Sequence, residues 1–294
     1  MTIYTALITP FKDGTIDQTG FLQLLQRQVE AGIDGVLVLG TTGEAPTLTE
    51  QEKELAIALS TTFRDDLDIV VGCGSNCTRT TLKNMEKAAK LGAEAALVVS
   101  PYYNRPPEAS LLAHFEELAR HAPCPILLYN APGRTHVHIS PAIIERLVEY
   151  PSIIGIKESS GHLTQFVDIL LQAKSKRPDF IVLGGDELIA LASVCYGGDG
   201  MVSVSANFIP ELMKEFSLAA QHDLTRAQQM QAQLWPFWRA LFSETNPIPI
   251  KAIMQAYGYA AGNPRLPLLP LDETKLAQLW TLTQTLLSPV DVLS

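Results

Sequence analysis

Cysteine is scarce in this chain: Cys73, Cys77, Cys124 and Cys195 are the only four in 294 residues. They are too few and too scattered for a disulfide framework at this length. The spacing Cys73-x3-Cys77 resembles half of a metal site, but no second Cys or His pair follows at zinc spacing, so these are read as buried or incidental thiols. Basic residues are also short, with 22 Lys and Arg against 31 Asp and Glu, a formal charge of −9. Such a balance lacks the cationic field that binding to a phosphate backbone requires, and no nucleic-acid partner is expected. No apolar run reaches the roughly 18 residues of a membrane span. The first ten residues carry no cationic leader, and their apolar run stops at Pro10, so a cytoplasmic protein without a membrane partner is expected.

Nucleotide fingerprints are missing as well: neither a G-x-x-x-x-G-K-[ST] loop nor a G-x-G-x-x-G after a strand occurs. The six histidines do not cluster as metal ligands would. His114, His121 and His222 fall in or beside predicted outer helices, His162 opens another, and the H-x-H of His136 and His138 reads as solvated loop. No metal is expected.

What is present is a core-forming composition, 47% hydrophobic and 18% charged. At this length about three quarters of the unfolded surface can be buried, so no staple is needed. Short β-branched and aliphatic runs alternate with longer segments of three- and four-residue apolar spacing. Strands are predicted at 4–8, 35–39, 69–71, 95–99, 126–129, 153–156, 180–183 and 200–203. Helices are predicted between and after them at 19–31, 49–62, 78–91, 108–121, 140–148, 163–174, 186–195 and 209–221. Continuous apolar runs such as Val36-Leu-Val-Leu39 indicate strands covered on both faces. Eight βα units in about 220 residues predict an α/β fold, a closed (β/α)8 TIM barrel. Beyond Asp223 only helices are predicted, at 224–242, 249–257 and 273–287. Their apolar stripes, Trp235 and Trp238 included, read as packing surface. The expected organisation is a catalytic barrel over 1–222 with a helical region over 223–294 packed on it.

In such barrels chemistry sits at the C-terminal ends of the strands. There the chain carries Gly40-Thr-Thr-Gly-Glu44, Ser100-Pro-Tyr-Tyr-Asn104, Tyr129-Asn-Ala-Pro-Gly-Arg-Thr135, Lys157-Glu-Ser-Ser160 and Gly184-Gly-Asp186. Lys157 follows Ile153-Ile-Gly-Ile156, where partial desolvation favours a neutral amine able to attack a carbonyl. A structural ion pair with Glu158 or Asp186 is the alternative. Tyr129, at the end of the neighbouring predicted strand, is either a proton relay or a core tyrosine. Thr41 and Thr42 suit a small carboxylate, unless the segment is simply a turn. Arg134 suits a second carboxylate, unless it is an ordinary exposed arginine. Taken from the residues alone, the reading reaches Schiff-base chemistry on a carboxylated substrate.

These motifs, together with Thr9-Pro-Phe11, Gly155-Ile-Lys-Glu158, the segment from Gly200 to Asn207 and Asn246-Pro-Ile-Pro-Ile-Lys251, resemble the dihydrodipicolinate synthase family. That family lies within the N-acetylneuraminate lyase superfamily of class I aldolases, and the resemblance spans nearly the whole chain. It implies a Schiff base between Lys157 and pyruvate, with no cofactor. The resulting enamine then attacks L-aspartate-4-semialdehyde to give a cyclic precursor of diaminopimelate and lysine. It further implies a proton relay of Thr42, Tyr129 and Tyr103, with Tyr103 reaching into a neighbouring subunit. Thr41 and Thr42 would hold the pyruvate carboxylate and Arg134 the semialdehyde carboxylate, with Gly185 and the Val202 carbonyl walling the nucleophile. A homotetramer built from two dimers is the implied assembly. Gly133-Arg-Thr135 and Tyr102-Tyr103 resemble the synthase pattern more than that of lyases acting on sialic or keto-deoxy sugar acids, the second enzyme reading. A non-catalytic acid-binding barrel is the third, since a fold does not fix a function. Ser75, Asn76 and Tyr102 match positions of the family's lysine-inhibition pocket. Glu50, Lys53 and Thr80 stand where inhibited relatives carry two histidines and a glutamate. The added ammonium and missing carboxylate imply weak or absent inhibition by L-lysine.

Overall fold

The computed structural model of the protein describes residues 1–287. Its strands, in chain order, are β1 (Thr2–Ala6), β2 (Phe11–Lys12), β3 (Thr15–Ile16), β4 (Gly35–Val38), β5 (Asp68–Gly72), β6 (Ala95–Val99), β7 (Ile126–Asn130), β8 (Ile153–Glu158), β9 (Ile181–Gly184) and β10 (Gly200–Ser203). All but β2 and β3 are parallel and close into a barrel in the order β1-β10-β9-β8-β7-β6-β5-β4. Every residue of β4 and β7 is buried, which is what their continuous apolar sequences require once helices cover the outer face. The fold is therefore the anticipated TIM barrel.

Local signals set the outer helices. Asp17, Thr49 and Ser140 each accept a backbone N–H in the first turn of the helices Gln18–Glu30, Glu50–Thr61 and Pro141–Leu147, and Thr49 with Glu52 forms a reciprocal capping box. The predicted helix over 186–195 is two pieces: a 3-10 turn, Glu187–Ile189, capped by Asp186, and then the α-helix Ala190–Cys195. The first strand starts two residues earlier than its apolar pattern suggests. Leu7 and Ile8 are buried; Leu7 N still donates to Leu37 O of β4, whereas Ile8 N donates to the side-chain Oδ1 of Asn207. Both lie just past the C-terminal end of the strand, at the mouth of the barrel, so apolarity overran the ladder.

The helices Leu224–Leu241, Ile248–Ala256 and Glu273–Leu287 follow the barrel. Trp238 is fully buried, edge-on to Phe216 at 5.5 Å, whereas Trp235 is partly exposed, so only the first is core. The segment after Ile248–Ala256 returns over the antiparallel pair β2–β3, where Phe11 N donates to Ala261 O. Gly262 sits there at φ +68°, and a Cβ on it would lie 2.1 Å from Phe11 O, so the crossing requires glycine. The last seven residues of the region expected over 223–294 lie outside the described residues. Among the described residues no helix is long and apolar enough to cross a membrane.

Candidate active site

Strand register brings Lys157 and Tyr129 together. In the parallel β7–β8 ladder Tyr129 pairs with Lys157 and Asn130 with Glu158. Alternation along a strand sends one pair inward and the next to the opposite face. The Lys157 ammonium lies 4.5 Å from the centre of the Tyr129 ring, and both side chains are buried. Glu158 is engaged elsewhere, accepting from Asn130 Nδ2 at 2.7 Å and from Ser160 N at 2.6 Å. Asp186 Oδ1 accepts from Leu188 N. Among the described residues no carboxylate lies within ion-pair distance of Lys157, and the alternative of a structural salt bridge with Glu158 or Asp186 is set aside.

Gly185 completes this wall. Its N–H donates to Glu158 O at 2.8 Å, and a Cβ there would stand 2.7 Å from Lys157 Cε and 1.8 Å from Ser159 Oγ. Any side chain would displace the stem of Lys157. Val202 is buried in β10, and the end of that strand is held by a residue that motif reading missed, Glu187. One oxygen of its buried carboxylate accepts from Ser203 Oγ at 2.8 Å, Val204 N at 2.8 Å and Ser205 N at 2.7 Å. Burial pushes this carboxyl up from the usual range while the three bonds pull it back.

The turn over residues 40–44 is gripped from four directions. Thr9 Oγ1 donates to Gly43 O at 2.7 Å, and Asn246 Nδ2 donates to Thr42 Oγ1 at 2.9 Å. Lys251 Nζ donates to Glu44 Oε1 at 2.7 Å and to Thr9 O at 3.0 Å, and Arg265 N donates to Glu44 Oε2 at 2.8 Å. Glu44 itself is left-handed, with φ +53°, and buried. Burial pushes the Lys251 ammonium down, and the adjacent Glu44 carboxylate pulls it back up. Nothing in the local sequence distinguished Glu44 or Lys251 as partners; the available signal was that both are charged residues inside otherwise apolar or turn-forming motifs.

A cavity of about 560 Å³ opens at this end of the barrel, lined by Thr41, Tyr129, Arg134 and Asn246 among others. Thr41 lines it, while the Thr42 hydroxyl is turned to Asn246. Arg134 is exposed in a short helix, Pro132–Thr135, that the sequence pattern treated as loop. Tyr103 stands apart from the group at φ +71° and is 90% exposed. The cavity continues to Ser75, Thr80, Tyr102, Glu50 and Lys53, all of which line it. Asn76 instead presents its backbone carbonyl to Asn104 Nδ2 at 2.9 Å. Glu50 is bonded to Lys53 and Lys87 at 2.9 Å each, and these two ammonium groups hold its carboxyl down to about 2. His136 and His138 border a separate small hollow with Arg105 and Ser140, and His114 is buried against Thr78, its imidazole pushed down to about 4 by burial.

An inward-facing amine with no carboxylate partner among the described residues, a phenol against it, hydroxyls on a fixed turn and an arginine at the cavity wall are the parts needed to bind an acid and attack its carbonyl. The dihydrodipicolinate synthetase family model matches residues 1–286 of this chain. The 4-hydroxy-tetrahydrodipicolinate synthase of Protochlamydia amoebophila is 40% identical over 283 residues, covering 94% of each chain. The enzyme of the same name from Thermosynechococcus vestitus is 41% identical over 281 residues, again covering 94% of each. Among solved structures, the dihydrodipicolinate synthase of Thermotoga maritima superposes with a TM-score of 0.94 at 35% identity, over 97% of this chain and 98% of that one.

Proposed function

The chain belongs to the dihydrodipicolinate synthetase family, and from that premise we propose that Lys157 is the amine on which it condenses pyruvate with L-aspartate-4-semialdehyde to 4-hydroxy-tetrahydrodipicolinate. The observation that carries this assignment is the Lys157 Nζ placed 4.5 Å from the Tyr129 ring centre, on the inner face of the barrel, with no carboxylate within ion-pair distance among the described residues. Nζ adds to the ketone carbon of pyruvate, the carbinolamine loses water to an iminium, and loss of a methyl proton gives the enamine. The enamine carbon then bonds to the aldehyde carbon of the semialdehyde, whose oxygen takes up a proton, and the semialdehyde's amino group attacks the regenerated iminium carbon, closing the ring as a cyclic imine and expelling the Lys157 amine. The iminium itself is the electron sink, so these steps call for no separate cofactor.

Tyr129 fits the proton relay for carbinolamine formation and dehydration. Thr41 and Thr42 together fit the pyruvate carboxylate, and because Thr41 is the one that lines the cavity with Tyr129, the relay hydroxyl assigned to Thr42 is better supplied by Thr41. Arg134 fits the carboxylate of the semialdehyde. Gly185 and Val202 wall the nucleophile. The solvent-directed Tyr103 fits a residue contributed to the site of a second copy, in a tetramer of two such dimers. A cytoplasmic setting accords with this biosynthetic role.

The test begins with wild-type protein. Pyruvate and borohydride are expected to leave a reduced adduct on Lys157, located by peptide mass spectrometry, and pyruvate consumption is expected only when the semialdehyde is supplied, with chelator present. Turnover of a sugar acid in its place would move the assignment to a lyase, and the absence of any adduct would end the Schiff-base reading. L-lysine at low millimolar concentration is expected to leave the rate within twofold, because Lys53 and Lys87 already neutralise Glu50 in the pocket. Half-inhibition below 1 mM, about the affinity of a weak but specific ligand, would contradict this.

A further inference from the structure

Asn246 lies between the helices Leu224–Leu241 and Ile248–Ala256, yet it reaches the mouth of the barrel. Its Nδ2 donates to Thr42 Oγ1 at 2.9 Å across 204 residues of chain, and it lines the same cavity as Thr41 and Tyr129. The residue is buried, but its Oδ1 has no hydrogen-bond partner. Most buried side-chain polar atoms find a partner. This amide spends its donor on a substrate-facing turn and leaves its acceptor unused.

The consequence lies in the hydroxyl. A threonine Oγ carries one proton that rotates freely, and an anion is bound only when that proton points at it. With a lone pair occupied by Asn246 Nδ2, Thr42 is left to donate in the other direction. The turn itself is secured independently by Thr9, Lys251 and Arg265, so the Asn246 contact is not what keeps the backbone in place. We propose that Asn246 is a positioning residue for pyruvate: it acts through Thr42, orienting that hydroxyl as a donor to the substrate carboxylate. This rests on the assignment of the carboxylate to Thr41 and Thr42.

The experiment measures the pyruvate concentration giving half-maximal borohydride trapping on Lys157, together with the KM for each substrate. It uses wild type, Asn246→Ala, Asn246→Asp, Thr42→Val and the double variant Asn246→Ala with Thr42→Val. Asn246→Ala is expected to raise both pyruvate constants about tenfold, the usual effect of losing one hydrogen bond to a charged group, and to leave the KM for the semialdehyde within twofold. Asn246→Asp keeps the shape but accepts the Thr42 proton, and is expected to raise them further. The double variant is expected to match Thr42→Val alone, since a residue acting only through Thr42 has nothing left to act on. A general loss of structure would instead lower kcat and both affinities together. The proposal is overturned if Asn246→Asp, with wild-type melting behaviour, traps pyruvate at the wild-type concentration, or if the Asn246 and Thr42 effects multiply in the double variant. Failure of the underlying assignment is distinct: wild type would then trap no pyruvate, or Thr42→Val would leave pyruvate binding unchanged.

Discussion

Lys157→Ala is expected to abolish turnover, by on the order of 10⁴-fold or more, and to leave no borohydride-reducible pyruvate adduct. The loss is large because covalent catalysis has no partial form: without the amine, no iminium forms to accept the electrons released with the methyl proton, and no enamine arises. The variant is expected to fold. Lys157 pairs with no carboxylate among the described residues, and the β8 ladder to β7 and β9 is built from backbone groups that alanine keeps. Lys157→Arg is the sharper control, since a guanidinium retains the charge over Tyr129 but stays protonated and cannot attack a carbonyl. The rival nucleophile in this chain is Lys251, which is even more buried. It is bonded to Glu44 and Thr9 and so lacks a free amine facing the substrate. A pyruvate adduct on Lys251 in the Lys157→Ala protein would overturn the assignment.

Lys251 carries the second large effect, on stability. Its ammonium and the Glu44 carboxylate are both essentially out of solvent at 2.7 Å, with Thr9 O and the Arg265 N–H taking up further valences. Lys251→Met removes the partner and leaves a buried carboxylate uncompensated, a change that costs about 3–5 kcal/mol in comparable sites. For a domain of this size the melting temperature is expected to fall by roughly 10 °C. Adding Glu44→Gln to Lys251→Met is expected to restore much of the loss, because the stranded charge and not the missing attraction dominates the cost. The two single variants measured by thermal melting, with the double variant alongside, check this through their coupling. If Lys251→Met alone melted like the wild type, the pair would be dispensable. The destabilised variant is also expected to bind pyruvate weakly, since the same pair anchors the turn that presents Thr41 and Thr42.

Much of the barrel was legible because its signals are local. Most strands are short and largely apolar and are followed by amphipathic helices, several with a side-chain N-cap, so the alternation could be counted, and most predicted bounds lie within a few residues of those observed. Lys157 stood out for the same reason, as a cation at the end of an apolar strand. Where the signal was thin the reading failed. The pair β2–β3 has only two residues per strand, and the helix Pro132–Thr135 is a single turn, so neither offers a period to detect. Strand β1 was misplaced because burial and laddering are separate properties, and the sequence pattern reports only burial.

The chain by itself determined the fold class, the end of the barrel where chemistry sits, and which residue types gather there. It left Lys157 and Glu158 as neighbours that might pair. Only the register of β7 against β8 decided otherwise, by putting Lys157 beside Tyr129 on one face and Glu158 beside Asn130 on the other. Likewise Glu44 and Lys251, 207 residues apart, and Thr42 and Asn246, 204 apart, carry no mutual mark in the sequence. Periodicity and capping are short-range physics, set by bond geometry within a few residues. A buried ion pair or a steered hydroxyl depends on distances of a few ångströms between segments that meet only when the whole barrel closes.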